Sequence, residues 1–284
     1  MTAFWQTTRF RISLQRPLVM GIVNVTPDSF SDGGQHASTA AAVAHCERLV
    51  AEGADLLDIG GESTRPGAVA PGSDAELARV LPIVAEALRL GVPVSVDTSN
   101  PALMQRALEL GADIVNDVRA LHRPGALACV AAYPKAGVCL MHMRGEPATM
   151  ESQAQYGDVV AEVAAFLAQR LATVEAAGIS AERVVLDPGI GFAKSPEHNL
   201  ALLQRQAELC GLLARPLLVG WSRKGTLGLM TGRPVGERLA ASVAAALAAV
   251  HHGAAIVRVH DVAATVDALK VWQAAVSATT SAHP

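Results

Sequence analysis

Nine polar or charged residues lie at or just beyond the ends of short apolar runs in this chain. In a parallel barrel the carboxyl ends of all strands open on one face, and active sites are built there. A single polar residue in such a place is often a helix cap or a turn former, but eight strand ends that all supply such groups indicate a functional site. The nine residues are Asn24, Arg65, Asp97, Asn116, His142, Asp187, Lys224, Arg258 and His260. For His142, which lies between two methionines, a packing role stays as open as a role in binding.

The acidic and amide side chains of this set predict a site for a flat heterocycle. Asp97, Asn116 and Asp187 follow the third, fourth and sixth apolar runs. Two carboxylates and an amide suit a ring that presents adjacent N–H donors and a carbonyl, such as the 2-amino-4-oxo edge of a pterin. The alternative is an internal ion pair in which one aspartate binds Lys224 or Arg258, and the sequence leaves it open.

The remaining residues form a cationic set, made up of Arg65, Lys224, Arg258 and His260. Arginine forks and lysine ammonium groups favour phosphate, and barrels often place phosphate sites after strands seven and eight. Asn24 adds a neutral oxygen that suits Mg²⁺ held otherwise by water and substrate phosphates. A heterocycle site beside a diphosphate site fits the pyrophosphate ester of a heterocyclic alcohol, with the cations stabilising the departing pyrophosphate.

The elements that must position these groups repeat along the chain. An alanine-rich helical stretch usually ends near a glycine, a strand-length apolar run follows, and a polar cluster comes next. The runs are apolar throughout, as strands buried on both faces are. Eight such units in a chain of this length predict one (β/α)8 TIM barrel, and an open doubly wound sheet, which usually has fewer strands, is the alternative. The predicted strands are 18–23, 55–59, 92–96, 113–115, 138–141, 183–186, 216–219 and 255–257.

A single domain, 1–284, accounts for the whole chain in this prediction. Residues 1–16 form a short β-hairpin-like segment that caps the bottom of the barrel, and residues 277–284 form a flexible tail. The connections 24–37 and 60–72 are longer than average and rich in turn-forming residues. Long loops in compact domains are often functional, so both are predicted to close over the site.

Composition excludes several classes of partner. The net charge is −3 and no run of Lys or Arg occurs, so we expect no nucleic-acid partner. The N-terminal residues alternate in hydropathy unlike a signal peptide, and no apolar segment reaches the ~20 residues of a membrane span, so a cytoplasmic protein is expected. The four cysteines form no CxxC pair and are expected to be reduced.

Eight motifs in this order resemble those of the dihydropteroate synthases, a family of pterin-binding barrels. The two long motifs are the most specific: NVTPDSFSDGG at 24–34 and DIGGESTRPG at 58–67. The six shorter ones are SVDT at 95–98, ND at 116–117, LMHM at 140–143, LDPGIGF at 186–192, SRK at 222–224 and RVHDV at 258–262. The resemblance spans residues 18–275.

The resemblance implies a transferase that condenses 6-hydroxymethyl-7,8-dihydropterin pyrophosphate with p-aminobenzoate, a reaction of folate biosynthesis that sulfonamides inhibit. Pyrophosphate leaves first, and the aromatic amine then attacks the exocyclic methylene. Lys224, Arg65 and Asp97 would be the catalytic residues. By motif, Asp97, Asn116, Asp187 and Lys224 would bind the pterin, Asn24 would bind Mg²⁺, and Arg65, Arg258 and His260 would bind the diphosphate; the p-aminobenzoate pocket would be Phe30, Thr64, Pro66, Phe192 and Ser222.

One residue departs from the expected pattern, and two further features bear on function. Trp221 stands where a smaller residue is expected, and a ring pointing into the barrel mouth would alter the p-aminobenzoate pocket. The apolar helix predicted over 235–250 is a surface on which a twin subunit would pack, which predicts a homodimer. The competing readings are a pterin-dependent methyltransferase barrel, a non-catalytic pterin-binding paralogue, and a sugar-phosphate isomerase or aldolase.

Overall fold

The computed structural model of the protein describes residues 4–25, 34–63 and 72–280, with residues 34–38, 151 and 277–280 described by their backbone alone. Eight parallel strands form one sheet in the order β8-β7-β6-β5-β4-β3-β10-β9. A bridge between Leu186 and Leu217 joins its two edges and closes it. The predicted (β/α)8 barrel is therefore confirmed. The strands are β3 (Leu18–Asn24), β4 (Leu56–Gly60), β5 (Val94–Asp97), β6 (Ile114–Asp117), β7 (Gly137–Met141), β8 (Val184–Asp187), β9 (Leu218–Val219) and β10 (Ile256–Val259).

The strands are displaced from their predicted positions by no more than two residues at either end, mostly toward the carboxyl side. Asp97 and Asp187 are consequently the last residues of their strands instead of the first residues of the loops. Backbone ladder bonds do not depend on the side chain, so a polar residue continues a strand when its side chain faces a polar interior.

Helices surround the barrel. Between β8 and β9 the chain forms two helices, and between β9 and β10 it forms two more. The helix predicted over 235–250 begins only at residue 239, because Pro234 and Gly236 favour a short 3-10 turn at Val235–Glu237. The helices are α1 (Gly34–Ala51), α2 (Ser73–Ala87), α3 (Pro101–Leu110), α4 (Ala126–Ala131), α5 (Val159–Ala176), α6 (Pro196–Gln204), α7 (Gln206–Leu213), α8 (Gly225–Thr231), α9 (Leu239–His251) and α10 (Val262–Thr280).

The helix α3 shows how local sequence sets these boundaries. The Asn100 side chain accepts a hydrogen bond from the Ala102 N–H, and Pro101 occupies the first turn, where a missing N–H costs nothing. Gly111 ends the helix with a φ of 103°, a left-handed conformation that glycine adopts without steric cost. The next strand begins three residues later, so this glycine turns the chain back into the barrel.

The bottom of the barrel is filled and covered. Side chains from seven barrel strands, among them Met20, Ile114 and Ile256, form one apolar cluster inside it together with Trp5. Trp5 belongs to a hairpin of β1 (Phe4–Gln6) and β2 (Arg11–Ser13), and its Nε1 donates to the Arg183 carbonyl at 2.8 Å. The polar groups described below lie at the opposite end of the barrel, at the carboxyl ends of the strands.

Two of the sequence predictions concern covalent and membrane features. All four cysteines lie in the described part of the chain and are free, three of them buried. Within residues 4–25, 34–63 and 72–280, no helix is both long and apolar enough to cross a membrane. Of the predicted tail, residues 277–280 continue α10, and the remainder lies outside the described residues.

Candidate functional site

The carboxyl end of the barrel gathers the predicted residues that the structure describes. Strand register places Asn24, Gly60, Asp97 and Asn116 as successive partners in one row across β3, β4, β5 and β6. A Cβ on Gly60 would lie 3.0 Å from the Asp97 Cβ, so the missing side chain leaves room in the middle of this row. Asp187 ends β8, Arg258 lies in β10, and Lys224 and His260 follow β9 and β10. Four predicted residues lie outside the described residues: Phe30, Thr64, Arg65 and Pro66.

Arg258 lies among the carboxylates that were assigned to the heterocycle. Its Nε donates to Asp58 Oδ2 at 2.6 Å, and Nη2 donates to Asp97 Oδ2 at 2.8 Å. The alternative of an internal ion pair therefore holds for Asp97. The motifs place Arg258 with the diphosphate groups and apart from the pterin set. Side chains alternate along β10, so Arg258 faces the barrel interior together with Ile256. Its Nη1 has no partner among the described residues and is available to an anion.

Asp58 is a site residue that the sequence analysis gave no role. It is fully buried, and its Oδ2 accepts from both Arg258 Nε and Asn116 Nδ2, the latter at 3.0 Å. One carboxylate oxygen thus orients two predicted binding residues. Its Oδ1 is buried without a partner among the described residues, which is rare for such an oxygen. In the sequence, Asp58 can be recognised as a charged residue inside an otherwise apolar strand.

The two predicted binding aspartates are held in environments that favour the neutral acid. Burial raises the pKa of Asp97 above its usual range, while the Arg258 guanidinium acts in the opposite direction. Burial raises the pKa of Asp187 to about 6, opposed by the Gly189 N–H, which donates to its Oδ1 at 2.7 Å. Carboxyl groups with raised pKa values in a barrel mouth are typical of functional sites.

Lys224 points toward the same space from the start of α8. Its Nζ lies 4.2 Å from the centre of the Phe192 ring, and it makes no hydrogen bond with a described residue. Burial, and then the charge of Arg258, lower the pKa of Lys224 to about 8, with Asp187 and Asp97 opposing the shift. The ammonium therefore stays protonated at neutral pH and is free to bind substrate.

His260 is neutral, and its inclusion among the cations was wrong. Burial lowers the pKa of His260 to about 3, and the charges of Arg258 and Arg223 add to the effect. Its Nδ1 lies 3.0 Å from Ser222 Oγ, which also accepts from the His260 backbone N–H at 3.2 Å. At neutral pH the His260 ring therefore carries no positive charge and can act only as a neutral hydrogen-bonding group.

Trp221 and His142 are both buried among neighbouring side chains. Trp221 is 2% exposed and belongs to the apolar cluster between the sheet and the helices, which places its ring away from the barrel mouth. His142 is also buried, and its ring meets that of Phe166 edge-on at 4.9 Å. Trp221 therefore gives no reason to expect an altered p-aminobenzoate pocket.

The donor set fits the predicted metal. No group of three or more His, Cys, Asp or Glu side chains that could hold an ion occurs among the described residues. Asn24, at the end of β3, offers the neutral oxygen of its side-chain amide. This fits Mg²⁺, which prefers oxygen and is often held by one or two protein groups together with substrate phosphates.

Comparisons with known proteins agree on one family. Residues 20–260 match the family model described as pterin binding enzyme. The dihydropteroate synthase of Neisseria meningitidis serogroup B is 54% identical over 275 residues, covering 95% of this chain and 96% of that protein. The Burkholderia cenocepacia dihydropteroate synthase complexed with 7,8-dihydropteroate has a TM-score of 0.89 and 50% identity, covering 98% of both chains. The Yersinia pestis dihydropteroate synthase with a sulfonamide drug complex has a TM-score of 0.91 and 44% identity, covering 96% of this chain and 99% of that one.

Proposed function

The chain belongs to the dihydropteroate synthases of the pterin-binding enzyme family, and we propose that the side chains around Arg258 are its substrate site. The protein is a transferase that makes 7,8-dihydropteroate from 6-hydroxymethyl-7,8-dihydropterin pyrophosphate and p-aminobenzoate, with release of pyrophosphate. It is a sulfonamide target by the same membership. The observation that carries the site assignment is the hydrogen-bonded cluster at the barrel mouth, in which Arg258 binds Asp58 and Asp97 while Asn116 binds Asp58.

The pterin is bound by Asp97, Asn116, Asp187 and Lys224 in this proposal. The carboxylates accept the N–H groups of the ring, the Asn116 amide reads the adjacent edge, and Lys224 donates to the ring carbonyl or a ring nitrogen. The Asp97–Arg258 ion pair supports this role, because a carboxylate already held at 2.8 Å by a guanidinium is fixed in place before the ring arrives. A ring that lacks the N–H donors would leave these buried groups unpaired and would be rejected.

The diphosphate lies toward Arg258, His260 and Arg65. The free Nη1 of Arg258 and the neutral His260 supply donors, while Arg65 lies outside the described residues. When bound, Mg²⁺ at Asn24 would neutralise part of the charge on the diphosphate. These groups stabilise the negative charge that develops on pyrophosphate as its bond to the methylene breaks, and this favours the dissociative course implied by the family resemblance.

The second substrate, p-aminobenzoate, is placed beside Phe192 and Ser222. Both side chains are largely buried. Phe192 lies beneath Lys224 of the pterin set, and Ser222 lies beside His260 of the diphosphate set. An aromatic acid stacks well against a phenylalanine ring, and Lys224 above that ring adds a positive charge. The amine then attacks the methylene carbon and loses its proton to solvent.

Pyrophosphate release from the dihydropterin pyrophosphate tests the reaction. We expect release that requires p-aminobenzoate and Mg²⁺, with one dihydropteroate formed for each pyrophosphate. Pterin binding without release would instead point to a non-catalytic paralogue, and release without the aromatic amine would point to a hydrolase. The exchange Asp267→Asn, on the exposed face of α10, serves as a control for carboxylate substitutions elsewhere, since this side chain is 78% exposed.

The rate should depend on pH through Asp97, Asp187 and Lys224. Burial raises the pKa of Asp97 to about 7 and that of Asp187 to about 6, and both carboxylates bind the ring N–H groups most strongly when ionised, so kcat/KM falls as the pH drops through these values. Lys224, with a pKa lowered by burial to about 8, loses its charge as the pH rises above that value, so kcat/KM falls again. A pH profile of kcat/KM for the dihydropterin pyrophosphate measures both limbs. In Lys224→Arg the alkaline limb should disappear from the remaining activity, and an unchanged alkaline limb would contradict the assignment.

Homodimer formation is part of the proposal, supported by an exposed apolar surface near α8 and α9. Leu229, Met230, Val235 and Leu239 are large apolar residues with 47% or more of their surface exposed. Such a group on one face is typical of an association surface. Sedimentation equilibrium should give twice the chain mass of 29.4 kDa, and Leu229→Glu should shift it to the monomer. A monomer in the unmodified protein would refute the dimer. The cytoplasmic location stays a prediction from the sequence.

A further inference from the structure

The side chain of Lys194 is a buried ammonium group to which neither the motifs nor the proposed reaction assigns a role. It follows Phe192 by two residues in the loop between β8 and α6 and is 9% exposed. Its Nζ is within hydrogen-bond distance of His142 Nδ1 at 2.9 Å, the Gly189 carbonyl at 2.9 Å and the Phe192 carbonyl at 3.0 Å. Three short contacts match the three hydrogens of an ammonium group, so Lys194 has no donor left for a substrate.

No ion pair accompanies this burial. Among the described residues no carboxylate lies within ion-pair distance of Lys194, and burial lowers the pKa of Lys194 to about 7, with Asp187 as the main opposing charge. The pKa of His142 is lowered by burial to about 2, so its ring is neutral and its Nδ1 accepts from Lys194. Burying a cation without a carboxylate partner lowers the stability of the fold. Groups buried in this way are found mostly where their position matters for function.

The contacts of Lys194 fasten one turn to the end of a neighbouring strand. The turn 189–192 is closed by a hydrogen bond from the Phe192 N–H to the Gly189 carbonyl at 3.1 Å. Lys194 binds the carbonyls at both ends of this turn and joins it to His142, which directly follows β7. The approach is close: a Cβ on Gly189, whose φ is +70°, would lie 2.0 Å from the His142 carbonyl oxygen.

The same turn carries the ring that faces Lys224. Phe192 is 8% exposed, and Lys224 Nζ stands 4.2 Å from its ring centre. Gly191, with a φ of +78°, passes so close to Lys224 that a Cβ would lie 3.2 Å from Lys224 Cδ. A shift of the turn by a fraction of an ångström would therefore move both Phe192 and Lys224.

We propose that Lys194 is a positioning residue for the p-aminobenzoate pocket, because its ammonium group fixes the turn 189–192 against β7 and thereby sets the Phe192 ring beneath Lys224. This inference rests on the proposed function, in which Phe192 lines that pocket. It assigns Lys194 its main effect on the aromatic acid and a smaller one on the pterin. Of the four pterin residues, Asp187 and Lys224 touch the turn at Gly189 and Gly191, whereas Asp97 and Asn116 belong to other strands.

A double-mutant cycle with Lys194→Met and Phe192→Ala tests the route of this effect. Lys194→Met keeps the length of the side chain and removes its donors. We expect each single variant to raise the KM for p-aminobenzoate about tenfold, while the double variant resembles Phe192→Ala alone, because residues that act through one contact are not additive. The KM for the dihydropterin pyrophosphate should change less than about threefold in Lys194→Met.

The outcomes separate this inference from the function on which it rests. A wild-type enzyme without p-aminobenzoate-dependent turnover would refute the function itself. If the wild type is functional, two results would overturn the positioning role. One is that Lys194→Met raises the KM for p-aminobenzoate by the same factor with Phe192 present and with Phe192→Ala. The other is that Lys194→Met raises the KM for the dihydropterin pyrophosphate as much as that for p-aminobenzoate. An unchanged KM in Phe192→Ala would overturn it as well. If Lys194→Met does not fold, the cycle is run with Lys194→Gln, which keeps a donor and should give a smaller effect with the same dependence on Phe192.

Discussion

Replacing Asp97 with alanine should abolish most of the activity by removing pterin binding. The substitution deletes a carboxylate that accepts from Arg258 Nη2 at 2.8 Å and, in the proposed complex, from the ring N–H groups. A hydrogen bond to a charged group contributes about 1.5–3 kcal/mol, so losing two such bonds to the ring corresponds to a loss of at least about 100-fold in kcat/KM. Steady-state kinetics with the dihydropterin pyrophosphate measure this loss, and calorimetric titration with the same compound, without p-aminobenzoate, shows whether binding is the step affected.

The control for this variant is a carboxylate that touches neither substrate. Asp267→Ala, on α10, should leave kcat/KM within about twofold of the wild type, since exposed pairs such as that with Lys270 contribute little. Asp97→Asn is informative beside Asp97→Ala, because it keeps an acceptor for Arg258 but loses the charge. If Asp97→Ala bound the dihydropterin pyrophosphate as tightly as the wild type, the pterin assignment of this residue would be wrong.

Most of the architecture follows from the sequence by repetition. Each barrel strand is an apolar run followed by a helix, and this unit recurs eight times, so an error at one unit does not change the fold. The strand ends were predicted to within two residues, and the polar residues at those ends identified the functional face before any contact was known. What makes this possible is that parallel barrels place all carboxyl strand ends on one face.

The pairing of the site residues could not be obtained in this way. Strand spacing places Arg258 at the barrel mouth, but which carboxylate it meets depends on register across the barrel, and Asp58 and Arg258 are 200 residues apart in sequence. The charge of His260 could not be predicted for a related reason, because its pKa depends first on burial, which the sequence does not give, and partly on Arg223, which is distant in sequence. The role of Lys194 could not be predicted, since a single lysine after a glycine-rich turn has no distinctive sequence pattern.

Asp58→Asn is expected to have the second large effect, although Asp58 is not assigned to any substrate. Its Oδ2 is the acceptor shared by Arg258 Nε and Asn116 Nδ2, so neutralising it weakens the hold on a diphosphate residue and a pterin residue together. A hydrogen bond to a charged group contributes about 1.5–3 kcal/mol, so we expect a loss of roughly 10–100-fold in kcat/KM. Denaturant unfolding should also show a lower free energy of unfolding, because Arg258 loses one of its two carboxylate partners.

The matched control for Asp58→Asn lies at the opposite end of the same barrel. Asp113 is also fully buried and also binds an arginine, with Arg9 Nη2 at 2.6 Å, but near the N-terminal hairpin and away from the site. Asp113→Asn should therefore lower the free energy of unfolding in the same way, while kcat/KM of the folded enzyme stays within about twofold of the wild type. Loss of stability alone cannot account for a difference in kcat/KM between these two variants. Equal kinetic losses in both would mean that Asp58 acts through the general stability of the barrel, whereas a loss confined to Asp58→Asn would show that one buried oxygen orients both halves of the substrate site.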